Sequence, residues 1–382
     1  MSNKKFKKSE VFTLSCAHMI HDIYSSFLAP LLPLLIEKHG MSLSISALLE
    51  IIRRIPTLFN PFFGLLAEKT GVKYFVILTP AITAIAMSLI GLAPSYTILF
   101  ILLFVTGISS ALFHVPSPVM IKEASGNRIG TGMSWFMVGG ESARTIGPLL
   151  ATAAVSQWGL EGIYKLMPLG LLASVILYMK LKDFDLNRPA QKTKEKGDTR
   201  KLLKKYTPFF TVLAFYLFFQ SGMKSALTLY LPVYLTNQGE SLWYAGISLA
   251  VLQFFGVLGA FFAGNLSDRI GRKKVLVISS IGSALGMFLF IQFASIYMLA
   301  VLGLFLFASG PVLMAIVQDT HSNMPTFMNG IYMSISFGIA SVLVFVVGLL
   351  GDSLGLQTTY IICNVLAMGC IPAAYLLTKF VK

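Results

Sequence analysis

Uncharged apolar runs of about twenty residues decide what this chain can fold into. Three are "YFVILTPAITAIAMSLIGLA" (74–93), "YMLAVLGLFLFASGPVLMAIV" (297–317) and "SISFGIASVLVFVVGLLG" (334–351). A helix needs roughly 20 apolar residues to cross a hydrocarbon core about 30 Å thick. The runs do not alternate with period two, so they are not half-buried strands. Only 12% of the residues are charged, against 55% hydrophobic. A soluble chain would carry about twice that charge fraction. The expected fold is an all-α integral membrane protein. Its twelve transmembrane helices fall near 10–38, 43–68, 73–93, 96–122, 129–157, 162–181, 206–236, 241–267, 273–293, 296–320, 326–351 and 355–379.

Between these spans lies one long polar stretch, "KDFDLNRPAQKTKEKGDTRKLLKK" (182–205). It is Lys-rich without apolar periodicity and reads as a solvated linker. It divides the chain into a first six-helix half, 1–181, and a second, 206–382. With both termini on one side, most of the 30 basic residues share that side with the linker, while Lys38 and Lys165 face the other. The asymmetry predicts cytoplasmic termini in a cell inner (plasma) membrane. The net charge of +14 then faces anionic lipid, and no nucleic-acid partner is needed to explain it. The first apolar segment is too long for a cleavable signal and lacks a small-residue cleavage site. Cys16, Cys363 and Cys370 fall within spans and read as small packing residues. No feature indicates an oligomer, so a monomer is expected.

A pattern repeats at an offset of 200 residues. "GLLAEKTGVK" begins at Gly64 and "GNLSDRIGRKK" at Gly264, each closing an even-numbered span. The shared form is G-x-x-x-acid-base-x-G-x-base, which implies two halves of one plan. Gly64 and Gly264 would let a neighbouring helix approach. Glu68 and Asp268, each followed by a base (Lys69, Arg269), would meet a basic side chain or a helix N-terminus. Gly71 and Gly271 would allow a tight turn, and Arg272 would hold the loop at the inner surface. The set reads as a gating motif.

Polar groups inside the spans are the second informative feature. An unpaired charge at the bilayer centre costs about 2.5–3.5 kcal/mol on insertion scales, so such groups face a cavity or a partner. Span one carries Ser15, His18, Asp22 and Ser25 on one helical stripe, with His21 beside it. Imidazole and a buried carboxylate can take and release protons near neutral pH, so Asp22, His18 and His21 are proton-coupling candidates. A structural hydrogen-bond cluster is the competing reading, as strong for the two histidines as the functional one. His18 and Asp22 at i, i+4 could also share a metal ion, but no second ligand cluster supports this and no metal is expected. In span two Glu50 precedes Arg53 and Arg54, where it would neutralise one and leave the other as cavity charge. Span five carries Glu141 and Arg144 at i, i+3, as a structural lock or as a second proton site with a substrate-binding cation. Lys224 lies in span seven. The excess of cations favours an anionic or zwitterionic substrate, since guanidinium pairs bidentately with carboxylate or phosphonate. Gln220, Tyr230, Tyr234, Trp243 and Gln253 are candidates to line the C-terminal side. His114 reads equally as a cavity ligand or as a residue satisfied at a helix kink.

"GNLSDRIGRKK" closely resembles the cytoplasmic loop motif of the major facilitator superfamily, and the resemblance extends over the whole chain. In the first copy Glu68 and Lys69 stand where Asp and Arg are usual. "GISSALFHVPSP" (107–118), "GGESARTIGPLL" (139–150) and the His18-x-x-x-Asp22 spacing resemble segments of the fosmidomycin-resistance efflux family. Gly139, Gly140, Gly147 and Pro148 also match parts of the superfamily's antiporter motif, without its final glycine pair. The resemblance implies the major facilitator fold and secondary active transport. Proton-coupled antiport of a small anionic or amphipathic organic compound is the leading expectation. Proton-coupled uptake of an organic anion comes second, and metal ion transport third. An enzyme is not expected: neither H-E-x-x-H nor a Walker motif occurs, and "GDSLG" (351–355) fits G-x-S-x-G only in a loop between helices. No cofactor is expected. The partners are a small-molecule substrate, protons and membrane lipid.

Overall fold

The computed structural model describes residues 5–60, 72–126, 128–184, 199–320 and 325–380. The described residues are helical nearly throughout, and among them nine helices are long and apolar enough to cross a membrane. Three further features complete the twelve-helix arrangement. The helix at Ile129–Trp158 is more polar, the second span is described only in part, and the 43-residue helix Pro325–Ala367 is two helices broken at Gly355 (φ 78°).

Two compact units are present. Unit 1 comprises 1–41, 45–189 and 235–250; unit 2 comprises 42–44, 190–234 and 251–382. In unit 1 the first span is two helices, α1 (Lys8–Ser25) and α2 (Leu28–His39). Pro30 has no N–H to give, and the chain breaks just before it at Ser26 and Phe27, about one turn beyond Asp22. Next come α3 (Leu43–Arg54), α4 (Val72–Ser88), α5 (Tyr96–His114), α6 (Ser117–Ser125), α7 (Ile129–Trp158) and α8 (Met167–Leu181). Pro116 follows His114 closely and leaves that histidine as the last residue of α5.

Glycines set the central crossing of unit 1. A Cβ on Gly139 would lie 2.3 Å from the Ser15 carbonyl oxygen, one on Gly140 2.3 Å from the His18 ring, and one on Gly147 2.7 Å from Ser26 Cβ. Along α7 these positions form one small-residue face that lets α1 approach to backbone contact. The helices also show the inverted polarity of a lipid environment. On α8, Leu172, Val175, Ile176 and Met179 are exposed, while Gly170, Ala173 and Ser174 are buried.

Unit 2 contains α9 (Thr199–Asn237), α10 (Leu242–Ile270, whose first residues belong to unit 1), α11 (Arg272–Phe293), α12 (Ile296–Leu306), α13 (Ser309–Gln318), α14 (Pro325–Ala367) and α15 (Cys370–Leu377). Its core centres on Phe209, Leu213, Tyr216, Leu276, Val312, Leu313 and Ala374. Asp352, at the tip before the Gly355 break, accepts hydrogen bonds from the backbone N–H groups of Leu43 (2.6 Å) and Ser44 (2.9 Å).

Candidate functional site: a histidine–aspartate cluster in unit 1

The close approach of α1 and α7 drives His18 into the interface. Its ring stacks on Phe136 at 4.0 Å, and its Nδ1 lies 2.8 Å from the Phe136 carbonyl oxygen. His21 is fully buried and stacks on Phe113 at 4.5 Å. The end of α5 brings in His114, whose Nδ1 is 2.9 Å from the Ser110 carbonyl oxygen.

These three imidazoles surround Asp22. His21 Nδ1 lies 2.9 Å from Oδ1, His18 Nε2 lies 3.3 Å from Oδ2, and His114 Nε2 lies 3.4 Å from Oδ1. The Nε2 atoms of His18 and His114 are 3.2 Å apart. His21 Nε2 continues to the Thr83 hydroxyl at 3.1 Å; that hydroxyl donates to Ser109, which donates to the Thr79 carbonyl. The cluster thus draws on α1, α4, α5 and α7. The His114 side chain is 39% exposed, the Asp22 side chain 14% and that of His21 0%, so His114 is the most open of the three.

Of the two sequence readings of His114, the structure brings it to the cluster as a partner of His18 and Asp22. Thr83, Ser109 and the Phe136 carbonyl were not anticipated. Thr79 and Thr83, four apart in an otherwise apolar run, were the available signal for the hydroxyl relay. His18, Asp22 and His114 each offer one ligand atom within 4.8 Å of the others, so among the described residues these three are placed to hold a cation. Two nitrogens 3.2 Å apart are also at direct hydrogen-bond distance, so the same arrangement can hold a proton between them.

Span two corrects one expectation. Glu50 does not select one arginine: Arg53 binds it bidentately (2.9 and 2.7 Å) and Arg54 Nε binds the same carboxylate at 2.7 Å. Both guanidiniums can reach because i+3 and i+4 flank one carboxylate on the helix surface. One positive charge is still left over, shared by the trio. Arg144 Nη1 pairs with Glu141 at 3.1 Å.

In unit 2 the polar candidates are separately engaged. Gln220 donates to the Leu306 carbonyl (3.1 Å) and to Ser309. Tyr230 is fully buried and donates to the Leu43 carbonyl at 2.8 Å. Tyr234 is buried and stacks on Tyr360, while Trp243 is exposed in the unit 1 part of α10. Gln253 is half-buried. Lys224 is exposed, with its Nζ 5.0 Å from the centroid of the Phe307 ring.

The first copy of the gating motif (Gly64, Glu68, Lys69, Gly71) lies outside the described residues. In the second, Gly271 has φ 95°, a left-handed turn that favours glycine. Arg272 bridges Asp268 and Asp319, the latter at 3.0 Å, and also reaches Ser267. Arg269 is exposed. Gly264 does not serve the expected close approach: a Cβ there would sit 4.0 Å from Pro311, at ordinary contact distance. Ser353 of the G-x-S-x-G match donates to the Leu349 carbonyl, an ordinary helical back-bond.

Comparison with known proteins bears on the family and the fold. The sequence model of the Major Facilitator Superfamily matches residues 14–344 and 249–381. The fosmidomycin resistance protein of Escherichia coli (strain K12) is 24% identical over 363 residues, covering 93% of this chain and 89% of that protein. The multidrug resistance protein MdtG of Citrobacter koseri is 25% identical over 276 residues, covering 68% and 66%. Two solved structures share the fold. One is a bacterial homologue of the human lysosomal transporter Spinster (TM-score 0.82, 13% identity, 99% of each chain). The other is a D-xylose–proton symporter (TM-score 0.77, 14% identity, 99% of this chain and 98% of that one). With the family model matched over most of its length, the chain belongs to the Major Facilitator Superfamily, as a multi-pass membrane transporter of small molecules and not an enzyme.

Proposed function

We propose that this transporter is a proton-coupled antiporter that exports a small anionic or amphipathic organic compound by alternating access. The observation that carries the reading is the Asp22 cluster. Three imidazoles and a carboxylate are costly inside a membrane, and they are the groups that can bind and release protons there. The efflux direction draws on the names of the relatives, a fosmidomycin resistance protein and a multidrug resistance protein. The anionic preference draws on Arg53, Arg144 and Lys224, with His114, Gln220, Tyr230 and Gln253 as further contacts to test. Asp22, His18 and His21 supply the coupling group, and Glu141 is the reserve candidate. The halves 1–181 and 206–382, joined by a cytoplasmic linker at 182–205, act as the two moving bodies. The protein works as a monomer with both termini in the cytoplasm. Asp268, Arg269, Gly271 and Arg272, with the copy at Gly64–Gly71, govern the switch between states.

Fosmidomycin is the first compound to try, followed by a thermal-shift screen of anionic metabolites and antibiotics, since a specific ligand stabilises the folded state by mass action. Accumulation in everted vesicles driven by an acidic interior supports antiport. Accumulation only in right-side-out vesicles, driven by an acidic exterior, establishes the second reading, uptake by symport.

A further inference from the structure

The hydrogen-bond directions of the cluster show where its protons sit. A backbone carbonyl only accepts, so His18 Nδ1, 2.8 Å from the Phe136 carbonyl, carries a hydrogen. So does His114 Nδ1, 2.9 Å from the Ser110 carbonyl. Both rings therefore turn their second nitrogen, Nε2, toward the other at 3.2 Å and toward Asp22 at 3.3 and 3.4 Å. Without a further proton these are two lone pairs and a carboxylate pressed together, which repel. One added proton makes an N–H···N bond between the rings and gives the carboxylate a cation to neutralise.

We propose that the exchangeable proton of this transporter is held between His18 Nε2 and His114 Nε2, with Asp22 as its fixed counter-charge, and that His114 is the residue through which it enters and leaves. The inference deepens the proton-coupled reading and rests on it. Loading forms an Nε2–H bond on His114 with a proton from water, and the proton is then shared with His18. Release reverses the step, and the cluster charge changes by one.

A second proton is present and stays in place. Ser109 donates to the Thr79 carbonyl, Thr83 donates to Ser109, and so the Thr83 oxygen accepts from His21 Nε2. His21 Nδ1, 2.9 Å from Asp22, then carries its own hydrogen toward the carboxylate, so that Asp22 keeps its charge. His21 is fully buried and the Asp22 side chain 14% exposed, whereas that of His114 is 39% exposed, so among the described residues of the cluster the His18–His114 proton has the more open route. The charged groups facing the pair are His21 and Asp22 on α1, the Glu50–Arg53–Arg54 trio on α3, whose Arg53 lies within reach of the Asp22 charge, and Glu141 with Arg144 on α7, the latter acting on His114. Phe113 and Phe136 cover the ring faces.

The test needs no substrate. The full-length protein, 15N-labelled at histidine and held in lipid nanodiscs, is followed by NMR between pH 5 and 9. The five histidines are assigned with single His→Gln variants. The expected result is the Nδ1–H tautomer for both His18 and His114, the less common form in water. Both Nε2 signals change together in a single one-proton step in which His21 takes no part. In His114→Gln the protein takes up one proton fewer over the same range, and the His18 step is lost. An Nε2–H tautomer at either residue would overturn the proposal. So would a His18 step that survives His114→Gln unchanged, or one-to-one zinc binding in place of the proton step. If the step is present but wild-type transport ignores the pH gradient, the proton-coupled reading fails and the proton site stands. If transport follows the gradient and the step is absent, the reading stands and this assignment fails.

Discussion

The helices of unit 1 hold charge inside the membrane, whereas those of unit 2 hold mainly hydroxyls and amides. His18, His21, Asp22 and His114 need partners from several helices, and Glu50 needs two arginines. In unit 2, Ser279 and Ser280 donate to the Leu276 carbonyl of their own helix, Tyr216 meets Ser280 at 3.2 Å, and Gln220 is spent on the Leu306 carbonyl. A hydroxyl satisfied by its own helix is cheap to keep in lipid, while a charge is not. On the proposed function, coupling chemistry belongs to the first half and neutral scaffolding to the second, with Lys224 as the second-half cation to be tested.

Removing cations from each side breaks or sharpens that contrast, and the largest of these effects is expected here. Arg53→Ala should weaken binding of an anionic ligand about ten- to a hundredfold, the worth of a charged hydrogen bond. The variant leaves Glu50 paired with Arg54, so no carboxylate is stranded. Lys224→Ala should weaken binding by a similar factor if the second half contributes charge. Equilibrium binding measures both. Intact affinity in both variants removes the main support for an anionic substrate.

Asp268→Asn comes next in size. Arg272 keeps Asp319 at 3.0 Å, so the loop holds part of its network. Turnover should fall by up to about fivefold, in line with an exposed ion pair worth at most about 1 kcal/mol, while affinity is unchanged. Loss of binding with normal turnover at saturation contradicts a gating role.

A comparison of glycines in the two units reads stability and leaves transport aside. Gly140→Ala pushes a methyl to 2.3 Å from the His18 ring and should cost about 1–3 kcal/mol of stability. Gly264→Ala meets only Pro311 at 4.0 Å and should be neutral, or stabilise by up to about 1 kcal/mol through helix propensity. Thermal unfolding of the two variants in detergent decides. Equal losses would show that the α1–α7 crossing is no tighter than the end of α10.

Legibility in the sequence tracked how local each cause is. The spans follow from apolar runs, because a membrane imposes one length and one composition. The turn at Gly271 was readable because a left-handed residue is a single-position requirement. The stripe His18–Asp22 was readable because i, i+4 spacing lies within one helix. Reading His114 into the site needed more. It lies 96 residues from His18, and it arrives only because α5 ends before Pro116 and because Gly139 and Gly140 let α1 press against α7. The claim of Glu50 on both arginines was missed because spacing permits either partner and only side-chain geometry shows that both are taken.

The central claim, that the span-one cluster couples transport to protons, is tested most directly by Asp22→Asn. The substitution keeps the volume and much of the hydrogen bonding and removes the charge that holds a proton between His18 and His114. Counterflow and pH-gradient-driven flux are measured side by side on vesicles carrying this variant and the wild type. Gradient-driven accumulation should vanish while counterflow persists at close to the wild-type rate. If accumulation survives with wild-type pH dependence, Asp22 is structural, and the coupling site lies at Glu141 or elsewhere.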